Sequence, residues 1–168
     1  MKTFRTFLCL SLALILTNCA DDITRSDNDE CDCYYLTEAT DAFVFGKYLG
    51  FCQGEQCTNL YKLQNGQLFA DDMERLMHPD DLVFKPEPLS EDKYATAKAI
   101  LDSLPTALFE EPSETIGCPD CADQGGYFIE WRTSGETQRW YLDANKNNLP
   151  EYLVSYAQQI DEVLAALK

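Results

Sequence analysis

The chain has 168 residues, of which 45% are hydrophobic and 25% are charged, a composition that excludes a disordered or fibrous protein and suits one globular domain. Twenty-nine acidic residues against 13 lysines and arginines give a formal net charge of −16 at pH 7. We expect no nucleic-acid partner, because phosphate binding requires a basic surface. The acidic surface would also repel anionic lipid headgroups, so electrostatic attraction would not hold the chain on a membrane.

The N-terminus has the pattern of a secretory signal. Lys2 and Arg5 precede an apolar run over residues 7–16. This run is too short for a membrane-spanning helix, which needs about 20 residues. We therefore expect residues 1–18 to be a signal peptide that is removed from the mature protein.

The run ends in Leu16-Thr17-Asn18-Cys19, which resembles the lipobox of bacterial lipoproteins. In that motif, cleavage before the cysteine is coupled to attachment of lipid to its sulfur. Asn18 departs from the small residue usual there, but the acidic residues after Cys19 look like the tethers of surface lipoproteins in Bacteroidota. The resemblance implies lipidation at Cys19 and an outer membrane lipoprotein of the cell envelope, periplasmic or surface-exposed. A secreted protein without lipid is the alternative.

The segment after Cys19 is rich in acidic residues, and Ile23 is its one sizeable apolar side chain. Such a segment buries too little apolar surface to offset its ordering entropy. We expect residues 19–32 to be a flexible acidic tether and residues 33–168 to form a single α+β domain.

Short aromatic and β-branched runs predict the first strands at residues 34–36 and 43–45. Residues 58–63 and 67–70 flank Asn65-Gly66, a dipeptide that accepts the positive φ angles of a type I′ turn, so they predict a hairpin. Residues 82–84 precede Pro86 and Pro88, which would place this piece at a sheet edge or end it.

The second half of the chain predicts a helix, a hairpin and a second helix. Ser90 is expected to cap the first helix, with Leu89 and Tyr94 as a hydrophobic staple, and Pro105 ends it. A hairpin follows at residues 127–132 and 138–143, and Pro150 begins the last helix. The apolar stripes are Tyr94, Ala97, Leu101 and Leu104 in the first helix, and Leu153, Ala157, Ile160, Leu164 and Leu167 in the second.

This order of elements predicts an α+β fold, in which an antiparallel sheet of hairpins has two helices packed on one face. Aromatic residues are dense in the second hairpin and would suit either a ligand platform or cross-strand packing. We favour packing in the core. The residues concerned are Tyr127, Trp131, Trp140 and Tyr141.

Three segments resemble those of small uncharacterised Bacteroidota lipoproteins. They are Gly50-Phe51-Cys52 with Cys57 before a Tyr-Lys-Leu strand, the loop at residues 118–126, and the helix start at residues 149–153. The resemblance covers most of residues 33–168. It implies that the cysteine-bearing loops belong to the design of the domain, and it implies no activity and no catalytic residue.

Apart from Cys9 and Cys19, the chain has six cysteines, and an even number in an exported protein predicts disulfides whose connectivity the sequence leaves open. Cys52 and Cys57 flank a short loop between predicted strands, where a bond would contribute about 2 kcal/mol by the chain-entropy estimate. The disulfide candidates are Cys31, Cys33, Cys52, Cys57, Cys118 and Cys121.

Two alternatives assign chemistry to the same cysteines. Tetrahedral zinc needs four ligands, which the thiolates of Cys52, Cys57, Cys118 and Cys121 would supply, although export to an oxidising compartment opposes free thiolates. Cys118-Pro119-Asp120-Cys121 has the spacing of a redox pair. A strand follows it, however, and the helix N-terminus that lowers a thiol pKa in thioredoxin-like proteins is not expected here.

Other motifs give weaker signals. Asp143, Asn145 and Asn147 alternate as in an EF-hand loop, but Asn148 stands at the position that requires glycine, so we predict a strand-to-helix turn. The single histidine, His78, lies in a turn-like segment, and the chain has no Gly-x-Ser-x-Gly motif and no histidine pair. We predict no catalytic residue.

The leading expectation is a lipid-anchored, non-enzymatic binding module that needs no cofactor and is monomeric. It would reach the membrane through the lipid at Cys19, and its ligand would be a protein or small molecule that the sequence does not identify. The alternative is a thiol-redox or zinc-thiolate protein, with Cys52, Cys57, Cys118 and Cys121 as its functional residues.

Overall fold

The computed structural model describes residues 36, 40–52, 54, 57–73 and 82–168. Six strands in this part of the chain form one sheet in the order β3-β2-β1-β5-β6-β4. The strands are β1 (Ala42–Tyr48), β2 (Thr58–Gln64), β3 (Gln67–Ala70), β4 (Thr115–Ile116), β5 (Gly126–Thr133) and β6 (Glu136–Asp143). The helices are α1 (Glu91–Asp102) and α2 (Glu151–Leu167), and short 3-10 turns occupy Thr106–Glu110 and Lys146–Asn148. The predicted α+β fold, with both helices on one side of the sheet, is confirmed.

The sheet differs from the prediction at one edge. All strand pairs are antiparallel except β4 with β6, which is parallel, so the sheet is mixed. The strand β4 was not predicted, because its two residues, Thr115 and Ile116, are too short a run to display the alternation that marks a strand.

Both predicted hairpins form. Asn65 and Gly66 join β2 to β3 with φ angles of 52° and 70°, as the type I′ expectation required. The piece at residues 82–84 contributes one antiparallel bridge, between Phe84 and Asp71. Residues 34 and 35 of the first predicted strand lie outside the described residues, and Leu36 belongs to no strand.

The helices begin near the predicted residues. Ser90 is the N-cap of α1 and its carbonyl accepts the N–H of Tyr94 at 3.0 Å, but its hydroxyl makes no capping hydrogen bond, so that detail of the prediction was wrong. Pro150 is the N-cap of α2. In the described part of the chain no helix is long and apolar enough to cross a membrane.

The main core lies between the helices and the face of the sheet that carries Phe43 and Phe45. The predicted stripe of α2 is buried here along its full length, as expected for a helix that covers a sheet. The stripe residues are Leu153, Ala157, Ile160, Leu164 and Leu167. From α1, the core receives Ala97, Ile100 and Leu101, with Leu104 just beyond the helix.

The face of the sheet away from the helices, here called the outer face, carries Val44, Tyr48, Leu60 and Phe128. These residues alternate with the core residues along their strands, which places them on the opposite side. The side chains of Met73, Leu82, Phe84 and Tyr141 pack against this smaller cluster.

The aromatic residues of the second hairpin pack internally and do not form one platform. Tyr127 and Trp140 are buried in the main core, and the ring of Trp131 lies 6.4 Å from that of Phe43. Tyr141 is on the outer face, with its ring 5.3 Å from that of Phe128. The preference for core packing over a ligand platform is confirmed.

Candidate functional site

Both cysteine loops emerge from the same end of the sheet. In the antiparallel register Tyr48 pairs with Thr58 and Gly126, and Gly126 pairs with Asp143. The ends of β1 and β6 therefore lie beside the starts of β2 and β5. We call the two loops that meet there, residues 49–57 and 117–125, the cysteine end.

A disulfide between Cys52 and Cys57 closes the first loop, with a Cα–Cα distance of 5.5 Å. Cys57 is buried, and its carbonyl accepts a hydrogen bond of 2.8 Å from the N–H of Leu49. The cross-link and this hydrogen bond join the strand ends on both sides of the loop. Leu49 and Cys57 therefore extend the β1–β2 pair.

The second disulfide joins Cys118 and Cys121, whose Cα atoms are also 5.5 Å apart, and both residues are exposed. The backbone here turns tightly, with Asp120 at a φ of 59°. The Asp120 N–H donates to the Gly125 carbonyl at 2.9 Å, and the Gly125 N–H donates to Oδ1 of Asp120 at 3.1 Å. The loop connects β4 to β5 and opens no helix, as the sequence predicted.

Glycines bring the two loops into direct contact. A β-carbon on Gly50 would lie 1.6 Å from Oδ1 of Asp120, so the Asp120 carboxylate would have to move to admit a side chain there. Burial raises the pKa of Tyr48 to about 12, and the nearby charge of Asp120 and the Tyr141 side chain add to the shift. The first cysteine loop and the end of β1 are thus packed against the second loop.

Asp143 is fully buried at the base of the cysteine end, where its carboxylate binds donors from several segments. Its carboxylate accepts hydrogen bonds from the backbone N–H groups of Cys118 and Asn145, at 2.8 and 2.7 Å, and from the Asn148 side chain at 2.8 Å. Gln124 Nε2 adds a longer bond of 3.3 Å. Burial alone would raise the pKa of Asp143, but these hydrogen bonds outweigh burial and hold it below its ordinary value.

The EF-hand resemblance is accounted for by this same turn. The oxygens of Asp143 already accept N–H donors, and Oδ1 of Asn145 accepts the N–H of Asn147 at 3.2 Å. A carboxylate engaged with N–H donors is aimed at the backbone and does not face an open cation site. The predicted strand-to-helix turn is confirmed, with a 3-10 turn at Lys146–Asn148.

The most exposed large hydrophobic side chain in the described residues is that of Phe51, at 88% of its full exposure. Its neighbour Leu49 is 44% exposed. Both lie in the first cysteine loop, flanking Gly50. The cysteine end therefore presents apolar side chains to solvent from a backbone that a disulfide and interloop packing hold in place.

The four cysteines proposed as zinc ligands are paired within their own loops. The residues that the structure describes contain no group of three or more His, Cys, Asp or Glu side chains arranged to hold a metal ion. Four of the residues singled out in the sequence lie outside the described residues. They are Cys19, Cys31, Cys33 and His78.

Two clusters of charge in the structure were not predicted from the sequence. Asp161 of α2 accepts hydrogen bonds from Lys47 at 3.1 Å, Lys146 at 2.6 Å and the Tyr127 hydroxyl at 2.9 Å. Burial alone would raise the pKa of Asp161, but these donors outweigh it and lower that pKa, while burial and the bond to Asp161 raise the pKa of Tyr127. The cluster ties α2 to β1 and β5.

The second cluster lies on the outer face. Glu130 is fully buried, and its two carboxylate oxygens pair with Arg132 Nη2 at 2.5 Å and Arg139 Nε at 2.6 Å. On the other side of β1, the ammonium of Lys62 lies 5.0 Å from the ring centroid of Phe69 and 4.9 Å from that of Phe84. In the sequence these residues look like ordinary charged positions on the solvent side of a strand.

No protein-family model matches the chain, and a search of curated proteins finds no similar sequence.

Proposed function

We propose that the protein is a lipid-anchored lipoprotein of the cell envelope, similar to the small lipoproteins of Bacteroidota, and that its folded domain is a non-enzymatic binding module. The cysteine end is the binding surface. The observation that carries this proposal is the exposure of Phe51, directly before a cysteine that a disulfide joins to Cys57.

The physical basis is the low cost of ordering such a loop. Binding becomes weaker when mobile loops and side chains must be ordered, because the lost conformational entropy reduces the favourable free energy of binding. The loop bearing Phe51 is already constrained by Cys52–Cys57 and by the contact of Gly50 with Asp120. Aromatic side chains supply much of the binding energy of protein interfaces when they enter a pocket on the partner.

Charge indicates the kind of partner. The second cysteine loop carries Asp120, which contacts Gly50, the neighbour of Phe51, and also carries Asp123, and the whole chain is acidic. A partner protein with an apolar pocket and a basic rim would be electrostatically complementary to this end of the domain. Envelope proteins with such a pocket are therefore the proposed partners.

The lipid anchor at Cys19 would determine the compartment in which this binding surface meets its partner. Lipidation at Cys19 followed by the acidic segment 19–32 would hold the domain on the outer membrane with freedom to turn. Disulfides are compatible with an extracytoplasmic domain. Proteolysis of intact cells would distinguish a surface-exposed domain, which is degraded, from a periplasmic one, which is protected.

Photo-crosslinking in cells tests the binding surface. A benzophenone amino acid at position 51 should give a discrete protein adduct, whereas the same group at Ser134, an exposed turn between β5 and β6, should give none. Excess purified domain should suppress the adduct, and the Phe51→Ala domain should suppress it at least tenfold less well. Equal competition by the Phe51→Ala domain would refute the proposal.

Detergent partitioning tests the anchor separately. Cys19→Ser should move the protein from the membrane fraction to the soluble fraction, because several acyl chains at about 0.8 kcal/mol per buried CH₂ account for its retention. Unchanged partitioning of the variant would show that the chain is not held by lipid at Cys19.

The alternative function, a thiol-redox or zinc-thiolate protein, is favoured by the exposure of the Cys118–Cys121 disulfide. Purified domain carrying both Cys118→Ser and Cys121→Ser should remain folded, and neither it nor the parent should catalyse disulfide exchange. Turnover by the parent that the double variant loses would instead support the redox function. Stoichiometric zinc that depends on Cys52, Cys57, Cys118 and Cys121 would support the metal site.

A further inference from the structure

We propose that the Cys118–Cys121 disulfide is a redox switch that a protein dithiol opens, and that opening it withdraws the support that the second cysteine loop gives to the first. The reducible bond and its effect on the loop follow from the geometry of residues 117–125, which the structure describes in full. Only the consequence for partner binding rests on the function proposed above.

The two disulfides of the cysteine end differ in their access to solvent. Cys118 and Cys121 are both exposed, whereas Cys57 is only 2% exposed and Cys52 is half-buried. Thiol–disulfide exchange begins when an external thiolate reaches a sulfur atom of the bond, so its rate depends on this access. A dithiol reductant should therefore open the second disulfide and leave the first one intact.

Opening the bond is a two-electron exchange with the protein dithiol. One thiolate of the reductant attacks a sulfur of the Cys118–Cys121 bond, which breaks and leaves the other cysteine as a thiolate. The second thiolate of the reductant then attacks the mixed disulfide and releases the reduced domain. The reductant ends as a disulfide, and its two thiol protons end on Cys118 and Cys121.

The disulfide closes a turn whose backbone is unfavourable for residues with side chains. Asp120, between the two cysteines, and Asp123, just after them, have φ angles of 59° and 56°, in the left-handed region. Aspartate tolerates this region better than most residues, but the conformation still costs free energy. Such a conformation persists where the surrounding structure fixes it, and here the cross-link spans Asp120 directly. Reduction removes that constraint.

Asp120 connects this turn to the first cysteine loop. Its carboxylate contacts Gly50, the residue before Phe51, and accepts the N–H of Gly125 at 3.1 Å. Its own N–H donates to the Gly125 carbonyl at 2.9 Å. If Asp120 leaves the left-handed conformation, its side chain changes direction and these contacts are lost. The backbone that carries Phe51 then has the Cys52–Cys57 bond but no contact with the Asp120 carboxylate.

The domain should stay folded when the second disulfide opens. The bond joins residues only three positions apart, and so short a ring restricts the unfolded chain little. The start of the loop is held separately, because the Cys118 N–H donates to the buried Asp143 carboxylate at 2.8 Å. Reduction would therefore loosen the turn around Asp120 and leave the sheet intact, as a reversible switch requires.

Selective reduction of the purified domain tests the switch. Reduced thioredoxin serves as the protein dithiol, and alkylation with iodoacetamide followed by mass spectrometry maps the free thiols with time. Cys118 and Cys121 should become alkylated at least tenfold faster than Cys52 and Cys57, which are the matched control in the same molecule. Equal rates, or no reduction at Cys118 and Cys121, would overturn the proposal.

Amide hydrogen exchange, followed by NMR, tests the effect on the loop. In the domain reduced at Cys118 and Cys121, the amides of Asp120 and Gly125 should exchange at least tenfold faster than in the oxidised domain. The Cys118 amide should change less than twofold, because Asp143 holds it from outside the turn. Unchanged exchange at Asp120 and Gly125 would show that the bond does not constrain the turn, and would also overturn the proposal.

Crosslinking in cells distinguishes failure of the switch from failure of the binding function. With the benzophenone amino acid at position 51, the double variant Cys118→Ser and Cys121→Ser should give at least threefold less adduct than the parent. An equal yield of adduct would overturn the regulation of binding. If neither protein gives an adduct, the proposed binding function is wrong, and the two measurements on the purified domain still decide the switch.

Discussion

Gly125 packs against the backbone carbonyl of Tyr48 so closely that a β-carbon on Gly125 would lie 1.8 Å from that oxygen. The φ angle of Gly125, 68°, is also one that residues with side chains rarely adopt. This contact joins the start of β5 to the end of β1 and holds the second cysteine loop against the start of the first.

Gly125→Ala should therefore destabilise the domain by about 2 kcal/mol or more, from the left-handed conformation and the steric overlap together. Urea unfolding measures the change. Gly135→Ala is the control, because a β-carbon there meets no atom within 4 Å, and its effect should stay below about 0.5 kcal/mol. Similar losses in both variants would contradict the contact.

Asp143→Asn should lower stability at neutral pH by about 1 to 3 kcal/mol, because an amide NH₂ would face N–H donors that now bond to a carboxylate. The folded pKa of Asp143 lies below its ordinary value of 3.8. The stability that its ionisation contributes is thus present above that ordinary value and is lost as the pH falls through the folded pKa.

The difference in stability between the parent and Asp143→Asn should consequently shrink below about pH 4. Urea unfolding from pH 7 down to the acid limit of the domain measures it. Asp123→Asn is the matched control, because Asp123 is exposed, and asparagine tolerates its φ of 56°. A constant difference across this range would show that Asp143 does not contribute through its ionised form.

Glu130→Gln should cost about 2 to 3 kcal/mol, because it removes the one carboxylate that Arg132 and Arg139 share on the outer face. The partial exposure of both arginines keeps this loss below that of a fully buried pair. Glu136→Gln, at an exposed position on β6, should change stability by less than about 0.5 kcal/mol. Thermal unfolding of the two variants side by side would decide the matter, and equal midpoints would count against a structural ion pair.

Ile160→Ala should destabilise the domain by about 2 to 5 kcal/mol, since Ile160 is fully buried between α2 and the sheet. Ser155→Ala on the exposed side of the same helix should have little effect. The ratio of these two losses in urea unfolding reports the orientation of α2. A loss at Ile160 below about 0.5 kcal/mol would be incompatible with the helix packing described here.

The elements that sequence predicted well are those whose signal is local. Asn65-Gly66 sets its hairpin through backbone angles that few residue pairs accept, and the apolar spacing of α2 marks its buried side. Cys52 and Cys57 are close in sequence, so a bond across their loop was an evident possibility. Each of these signals needs only a few neighbouring residues.

The elements that sequence missed depend on distant partners. Asp143 and Glu130 are two of 29 acidic residues, and what makes them unusual is the set of donors that the register of β5 and β6 and the neighbouring loops bring to them. The two-residue strand β4 exists because β6 offers it an edge. The contact of Gly50 with Asp120 joins loops about 70 residues apart, and a pattern within either loop does not reveal it.

The outermost strands of the sheet, β3 and β4, are also its shortest, with four and two residues. An exposed strand edge offers unpaired N–H and carbonyl groups to which a strand from another molecule can add. Here such an addition would gain only a few hydrogen bonds, and in β3 the carbonyls of Leu68 and Ala70 already accept the N–H groups of Leu89 and Lys85. Neighbouring copies crowded together at a high local concentration would therefore resist merging their sheets into a shared, amyloid-like assembly.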